Sequence, residues 1–416
     1  MQIKIPYGKQ IIKIQTDQEI EIVKPSEIQL KNEEEIIKNS FKNPIKKQKL
    51  KDFLHQTDKI LIIVNDATRP TPTAKILKHL NEYIDLSEKA FFIIACGSHR
   101  EPTEDEFEFI FGKLYQKLKK NIIVHDAKKT DEMVYIGKTN RGTKVSFNKK
   151  IFDFKKIITI NSVEPHYFAG YTGGRKSFLP GVASYETIET NHTHALKKEA
   201  CSLKLQGNPV NEDMMEAAAL LENLDIFSIQ IILTPNSEIF EIVTGDLTQS
   251  FLDATKHANK VFCSKFKEKA NIVITVAPHP MDINLYQSQK ALENGRLALK
   301  ENGIIILVSE CSKGIGPDNF MKLLSSEETP EAVLNLLKQE YKLGYHKAGK
   351  IADLASRAQI FAVTNVDENQ IKKAFMQPFL NVQEALDAAI KKIEETGEKP
   401  HIIYLPYGSL TVPYQK

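Results

Sequence analysis

Compact apolar runs that alternate with amphipathic stretches constrain this chain more than any other feature. KILIIV at 59–64 and KAFFIIAC at 89–96 have the near-continuous hydrophobicity of strands buried on both faces. Thr103 and Glu106 form a capping-box pattern, and an amphipathic stretch follows to about residue 119. NIIVHD at 121–126 and KKIITIN at 155–161 read as further strands. EDMMEAAALLE at 212–222 reads as a helix, and SIQIILT (228–234) and IVTGD (242–246) as strands. LTQSFLDATKHANKVFCSKFKEK follows as one long helical stretch. Strand and helix in alternation predict an α/β fold with a mostly parallel sheet.

The alternation then restarts. NIVITVA (271–277), GIIILVSE (303–310), AQIFAVTN (358–365) and HIIYLP (401–406) read as strands, with helices predicted over 284–300, 329–340 and 381–395. Two α/β domains with mostly parallel sheets are therefore expected, residues 1–267 and 268–416, with an active-site cleft between them. The boundary is placed in the charged KFKEKAN segment, with room for the last residues to pack back on the first domain. Near the start, QIKI, IIKI and EIEIV read as edge strands or a small hairpin. A length of 416 residues, 42% apolar and 26% charged, supports full cores of this kind.

The bulk numbers exclude several function classes. A net charge of +3 is too small to argue for a nucleic-acid partner. No window reaches eighteen uninterrupted apolar residues, and MQIKIPYGKQ lacks the apolar stretch of a secretory signal. A cytoplasmic protein with no membrane partner is expected. Cys96, Cys201, Cys263 and Cys311 stand far apart, which argues against a disulfide framework and excludes a zinc ribbon. Lysine is the default cation here, and the arginines are confined to Arg69, Arg100, Arg141, Arg175, Arg296 and Arg357. Each arginine is a candidate for a place that needs a planar, two-pronged donor.

Three strands of the first half run into unusual polar loops: Asn65-Asp66-Ala67-Thr68-Arg69-Pro70, Gly97-Ser98-His99-Arg100, and Ser162 onward through Glu164-Pro165-His166 to Gly173-Gly174-Arg175-Lys176. In an open α/β sheet the ligand crevice lies outside the carboxyl ends of the strands. If these strands are parallel neighbours, Asp66, Arg69, His99, His166 and Lys176 converge there. GYTGGRKS is not a Walker P-loop, because Arg175 intervenes between glycine and lysine, and no GxGxxG follows any strand. Gly173 and Gly174 suit either a phosphate-holding turn or a plain tight turn. Lys176 reads as a solvated cation or as a covalent anchor. In Asn191-His192-Thr193-His194, either histidine is a metal ligand or both are surface residues. Further on, Asp282 or Asn284 can cap a helix that places Tyr286, Gln287 and Lys290 near one face, suited to an anion or to solvent.

Together, DATRP (66–70), GSH (97–99), EPHYFAGYTGGRKSFLPG (164–181), NHTH (191–194) and NLYQSQKAL (284–292) resemble the nickel-pincer lactate racemase family in order and spacing. The resemblance implies a racemase or epimerase that inverts C2 of a small, lactate-like 2-hydroxy acid by hydride transfer through a 2-keto acid. It implies that Lys176 covalently holds pyridinium-3,5-bisthiocarboxylic acid mononucleotide and that His192 ligates nickel. His99 and His166 would be the acid–base pair. Arg69 and Lys290 would grip the substrate carboxylate beside Gln287 and Tyr286, Tyr286 also lying against the cofactor. Asp66, Thr68 and the Gly173-Gly174 turn would lie close to the cofactor. Separate biosynthetic enzymes would supply that nucleotide. The competing readings are another 2-hydroxy acid or sugar acid, a non-catalytic binding protein for an anionic metabolite, and a nucleotide-dependent transferase. The last is disfavoured by the broken Walker spacing. His55, His79, His125, His257, His279, His346 and His401 are assigned structural roles, and the oligomeric state is left open.

Overall fold

A computed structural model describes residues 2–415. Two compact units emerge, residues 28–261 and residues 1–27 together with 262–416. Among the described residues, no helix is long and apolar enough to cross a membrane.

The 28–261 unit is built on a six-stranded sheet in the order Ile239–Gly245, Asp225–Leu233, Lys156–Ser162, Ile60–Asn65, Ala90–Ala95, Ile122–Val124. Its pairings are parallel except that of Ile239–Gly245 with Asp225–Leu233. The apolar runs are buried, with Ile60 to Val64 all at 0% exposure. Each such side chain contributes about 1.5–3 kcal/mol by leaving water. From Ile60–Asn65 the chain moves outward through Ala90–Ala95 to Ile122–Val124, then returns to place Lys156–Ser162 on the opposite flank. The order therefore reverses between Ile60–Asn65 and Lys156–Ser162, the place where open α/β sheets form a crevice.

The other unit has its own sheet, in the order Gln377–Pro378, Gln359–Val363, Leu299–Val308, Ala270–Val276, Ile402–Leu405, Ile20–Ile22, with parallel pairings throughout. The division differs from the expected 1–267 and 268–416. Ile20–Ile22 pairs with Ile402–Leu405, and the Gln2–Tyr7/Gln10–Gln15 hairpin sinks Ile3, Ile5 and Ile14 into the core of Ile272 and Ile274. The edge-strand and hairpin reading holds, in the other unit. The long helix is also shorter than expected. It ends at Phe262, and Cys263–Phe266 becomes a strand parallel to Val412–Gln415 of the same unit. Cys263, Ser264 and Phe266 are buried while Lys265 is exposed, a pattern that a sheet partner satisfies and that helical periodicity alone does not resolve.

A hairpin, Met133–Lys138 with Lys144–Asn148, adds a feature that the apolar runs do not reveal. It is tied to the 28–261 unit through Asp213, which is fully buried and accepts hydrogen bonds from Thr139 Oγ1, Thr143 Oγ1 (2.9 Å) and Asn191 Nδ2 (2.8 Å). Asn191 lies on the helix Tyr185–Thr193, next to His192, so this carboxylate fixes that helix against the hairpin. Asp213→Ala is expected to destabilise the protein by about 3 kcal/mol, because it leaves three buried polar groups without their partner. Thermal unfolding should show a lowered Tm, against a smaller loss of about 1 kcal/mol for Asp367→Ala at an exposed helix cap.

Candidate functional site

The carboxyl edge of the 28–261 sheet is laced across its point of reversal. Asn65 Oδ1 accepts from Thr71 Oγ1 (2.9 Å) and from Ser162 N (3.3 Å), and Thr71 Oγ1 also reaches Ser162 Oγ (3.1 Å). These bonds hold the loop after Ile60–Asn65 beside the loop after Lys156–Ser162. Gly97 N donates to Gly181 O (3.0 Å), which binds the His99 loop to the segment that carries Lys176. The three loops predicted to converge do so.

Asp66 is buried and places its carboxylate between two donors. His99 Nδ1 lies 2.7 Å from Oδ2, and Thr68 Oγ1 donates to Oδ1 at 2.6 Å. Burial opposes the charge on Asp66, but the His99 bond, the Thr68 hydroxyl and the Arg69 charge together hold its carboxyl below the usual range. His99 itself is half exposed, a ring with one edge anchored and the other towards solvent. Arg69 Nη1 pairs with Glu164 Oε1 at 2.9 Å. Glu164 has no role assigned from the sequence beyond its place in the EPHYFAGYTGGRKSFLPG motif. Its backbone is pinned by Thr172, whose N–H donates to Glu164 O (2.8 Å) and whose Oγ1 accepts from Glu164 N (2.9 Å).

Beyond Glu164 the chain makes a tight hairpin in which Pro165 and His166 pair with Tyr171 and Gly170. His166 Nδ1 accepts from Ala169 N at 3.3 Å. Phe168, buried near the tip, is the hub of the cluster. Its ring centroid is 4.5 Å from that of His166, 5.1 Å from that of His192, and 5.7 Å from Lys176 Nζ. A buried aromatic reads as core in sequence, so Phe168 carried no signal of this position. Lys176 stands on the 3₁₀ turn Gly174–Ser177. Ser177 Oγ bonds Asn161 of the adjacent strand at 2.6 Å and fixes that turn on the sheet.

The two glycines before Lys176 have a packing reason. A Cβ on Gly173 would lie 2.5 Å from Val163 Cγ2, and one on Gly174 2.8 Å from Phe251, with φ of +84° and +52°. The Gly174 N–H is taken by Gln230 Oε1 at 3.0 Å. Arg175 is 1% exposed. It donates Nη1 to Gly173 O (3.1 Å) and Nη2 to Ala169 O (2.7 Å), and lies over the Phe251 ring at 4.2 Å. One planar fork thus ties the hairpin tip to the glycine turn, a task lysine cannot perform. Arg100, by contrast, forms a surface pair with Glu106 of the predicted capping box, which is present.

His192 lies in the last turn of the helix Tyr185–Thr193 and is buried. Burial, followed by the Lys176 charge and that of His99, pulls its imidazole down to about 3, so it stays neutral. His194 falls on the following 3₁₀ turn; burial lowers its pKa too, but the charges around it are Asp213, Lys197 and Arg141. The two histidines therefore face different surroundings. His79 and His125 are structural: His79 pairs with Glu82, and His125 bonds Ala183 O and Asn148. Among the described residues, no group of three or more His, Cys, Asp or Glu side chains could hold a metal.

In the other unit, Tyr286, Gln287 and Lys290 lie on the helix Leu285–Gly295, capped by Asn284 Oδ1, which accepts from Gln287 N at 2.9 Å. Lys347 Nζ sits 3.6 Å from the Tyr286 ring centroid and donates to Tyr286 O at 2.7 Å. Phe320 meets the same ring edge-on, so Tyr286 is held from two sides, and burial raises its hydroxyl pKa. Nothing in the sequence links Lys347 to Tyr286, because the contact joins two helices far apart in the chain.

Comparison with known proteins agrees with this architecture. Residues 7–203 match the lactate racemase N-terminal domain and residues 266–412 the lactate racemase C-terminal domain. The chain is 30% identical to the lactate racemase of Thermoanaerobacterium thermosaccharolyticum, covering 96% of this chain and 97% of that one. It is 27% identical to the lactate racemase of Lactiplantibacillus plantarum, covering 98% of each. The structure of the T. thermosaccharolyticum lactate racemase apoprotein aligns over 100% of both chains with a TM-score of 0.90 and 28% identity. A Thermotoga maritima protein, 17% identical, shares the fold with a TM-score of 0.68 over 92% of this chain and 98% of its own. The chain belongs to the lactate racemase family and is an isomerase.

Proposed function

We propose that this protein racemises lactate, or a close short-chain 2-hydroxy acid, with a nickel-pincer nucleotide tethered to Lys176. The observation that supports this most is the gathering of His166, His192 and Lys176 around Phe168, beside a loop that presents His99 on Asp66. The residues fit the proposed group. His192 is a neutral, buried imidazole suited to nickel, and Lys176 offers an amine for an amide-type link. The remaining donors to the metal would be the sulfur arms of the nucleotide.

When bound, the nucleotide supplies a hydride acceptor, which spares the reaction a carbanion at a weakly acidic α-carbon. The chain supplies the proton handling and the grip. Asp66 holds His99 by Nδ1, leaving Nε2 to take the hydroxyl proton. Glu164 occupies one edge of the Arg69 guanidinium and aims the rest at the substrate carboxylate. Held by its carboxylate, the keto acid can turn its other face while staying in register. His166 handles the oxygen on that second face.

Peptide mass, nickel content and steady-state kinetics test this reading. Protein from a host that makes the nucleotide should show an added mass on the peptide containing Lys176, and this should vanish in Lys176→Ala. His192→Ala should keep the added mass and lose nickel. Unmodified, nickel-free protein with full racemase activity would refute the proposal. Glu164→Gln should raise KM for lactate roughly threefold to tenfold, about 0.7–1.4 kcal/mol, with kcat little changed. An unchanged KM would remove Glu164 from the carboxylate grip.

A further inference from the structure

The two histidines assigned to proton transfer are held by chemically opposite partners. His99 Nδ1 lies 2.7 Å from Asp66 Oδ2, and an ionised carboxylate can only accept. The Asp66 carboxyl is kept ionised by His99, Thr68 and Arg69. A neutral His99 therefore carries its proton on Nδ1 and its lone pair on Nε2. His166 Nδ1 lies 3.3 Å from Ala169 N, and a main-chain N–H can only donate. A neutral His166 therefore has its lone pair on Nδ1 and its proton on Nε2.

We propose that the resting protein sets His99 and His166 in opposite tautomers, so that His99 is the ready proton acceptor and His166 a neutral hydrogen-bond donor. Asp66 is the positioning residue for the first ring, and the Ala169 main chain serves the second. The hairpin makes the His166 arrangement rigid. Its ring stacks on Tyr167 at 5.1 Å and meets Phe168 edge-on at 4.5 Å, so turning the ring over is opposed on two sides. Arg175 Nη2 clamps Ala169 O at 2.7 Å, which keeps the donating residue in place. His99 is half exposed, and its bond to Asp66 sets its orientation.

This inference rests on the proposed function for its consequence, though not for its geometry. A hydroxyl that faces His99 can pass its proton to Nε2. The ring becomes an imidazolium whose Nδ1–H still bonds Asp66, and the same proton can return to the oxygen. A hydroxyl that faces His166 meets an N–H. Nε2 of His166 can accept only after its own proton has moved to Nδ1, which breaks the bond from Ala169. One enantiomer is thus matched to the resting protein, and the other requires a change of tautomer first.

The test uses the unloaded full-length protein labelled with ¹⁵N at histidine, above pH ~9, where an ordinary imidazole is neutral. Two-bond proton–nitrogen correlation spectra distinguish the tautomers. The signals lost in His99→Gln should show protonated Nδ1, and those lost in His166→Gln protonated Nε2. Through-bond assignment of the unsubstituted protein gives the same two readings if a variant does not fold. In Asp66→Ala the His99 signals should shift to the Nε2–H form while those of His166 stay in place. A merely structural role for Asp66 would leave the His99 tautomer unaltered and overturn that assignment. The proposal falls if both rings share one tautomer, or if His166 is protonated at Nδ1. Cofactor-loaded protein that leaves enantiopure lactate unchanged would instead sink the functional reading and leave the tautomer result standing.

Discussion

Everything at this site depends on two adjacent strands whose connections leave in opposite directions. Ile60–Asn65 and Lys156–Ser162 run parallel, side by side, yet the first leads on to Ala90–Ala95 on one side and the second to Asp225–Leu233 on the other. No crossover covers the gap at their carboxyl ends, so their loops are free to carry chemistry. The bonds among Asn65, Thr71 and Ser162 close that gap with side chains and set the loops at hydrogen-bonding distance. Asp66, directly after Asn65, and Glu164, two residues beyond Ser162, then reach across to His99 and Arg69. Small polar residues at strand ends thus place large functional side chains.

A second theme is the use of main-chain atoms as fixed partners. Arg175 is spent on two carbonyls, His166 on an amide N–H, and the glycine turn on packing and on Gln230. Such partners cannot be lost by rotation of a side chain. They suit a segment in which Lys176 and His166, the proposed anchor and acid–base group, stand ten residues apart. Among the described residues no carboxylate pairs with Arg175, so its charge is balanced by carbonyl dipoles and the Phe251 face.

Much of this was legible in the sequence, for physical reasons that differ by element. Buried parallel strands such as ILIIV announce themselves because both faces must be apolar, and the loops after them stand out as polar interruptions. The capping box at Thr103 was readable because its two bonds are local. Glu164 was not readable because its partner Arg69 lies far away in the chain, and Phe168 because only the fold brings His166, Lys176 and His192 around one ring. The place of the first 27 residues was hidden for the same reason. Alternation in EIEIV predicts an edge strand but says nothing about which sheet supplies the partner, and that partner is Ile402–Leu405.

That long-range pairing bears on how the chain acquires its structure during synthesis. Residues 28–261 are contiguous and form a compact unit, so all of that unit's own contacts exist once residue 261 has left the ribosome. The other unit is completed from both ends. Ile20–Ile22 is made before residues 28–261 and its strand partner Ile402–Leu405 after them, so this edge waits while that whole unit is synthesised. The short length of Ile20–Ile22 limits what it can mispair with in the meantime.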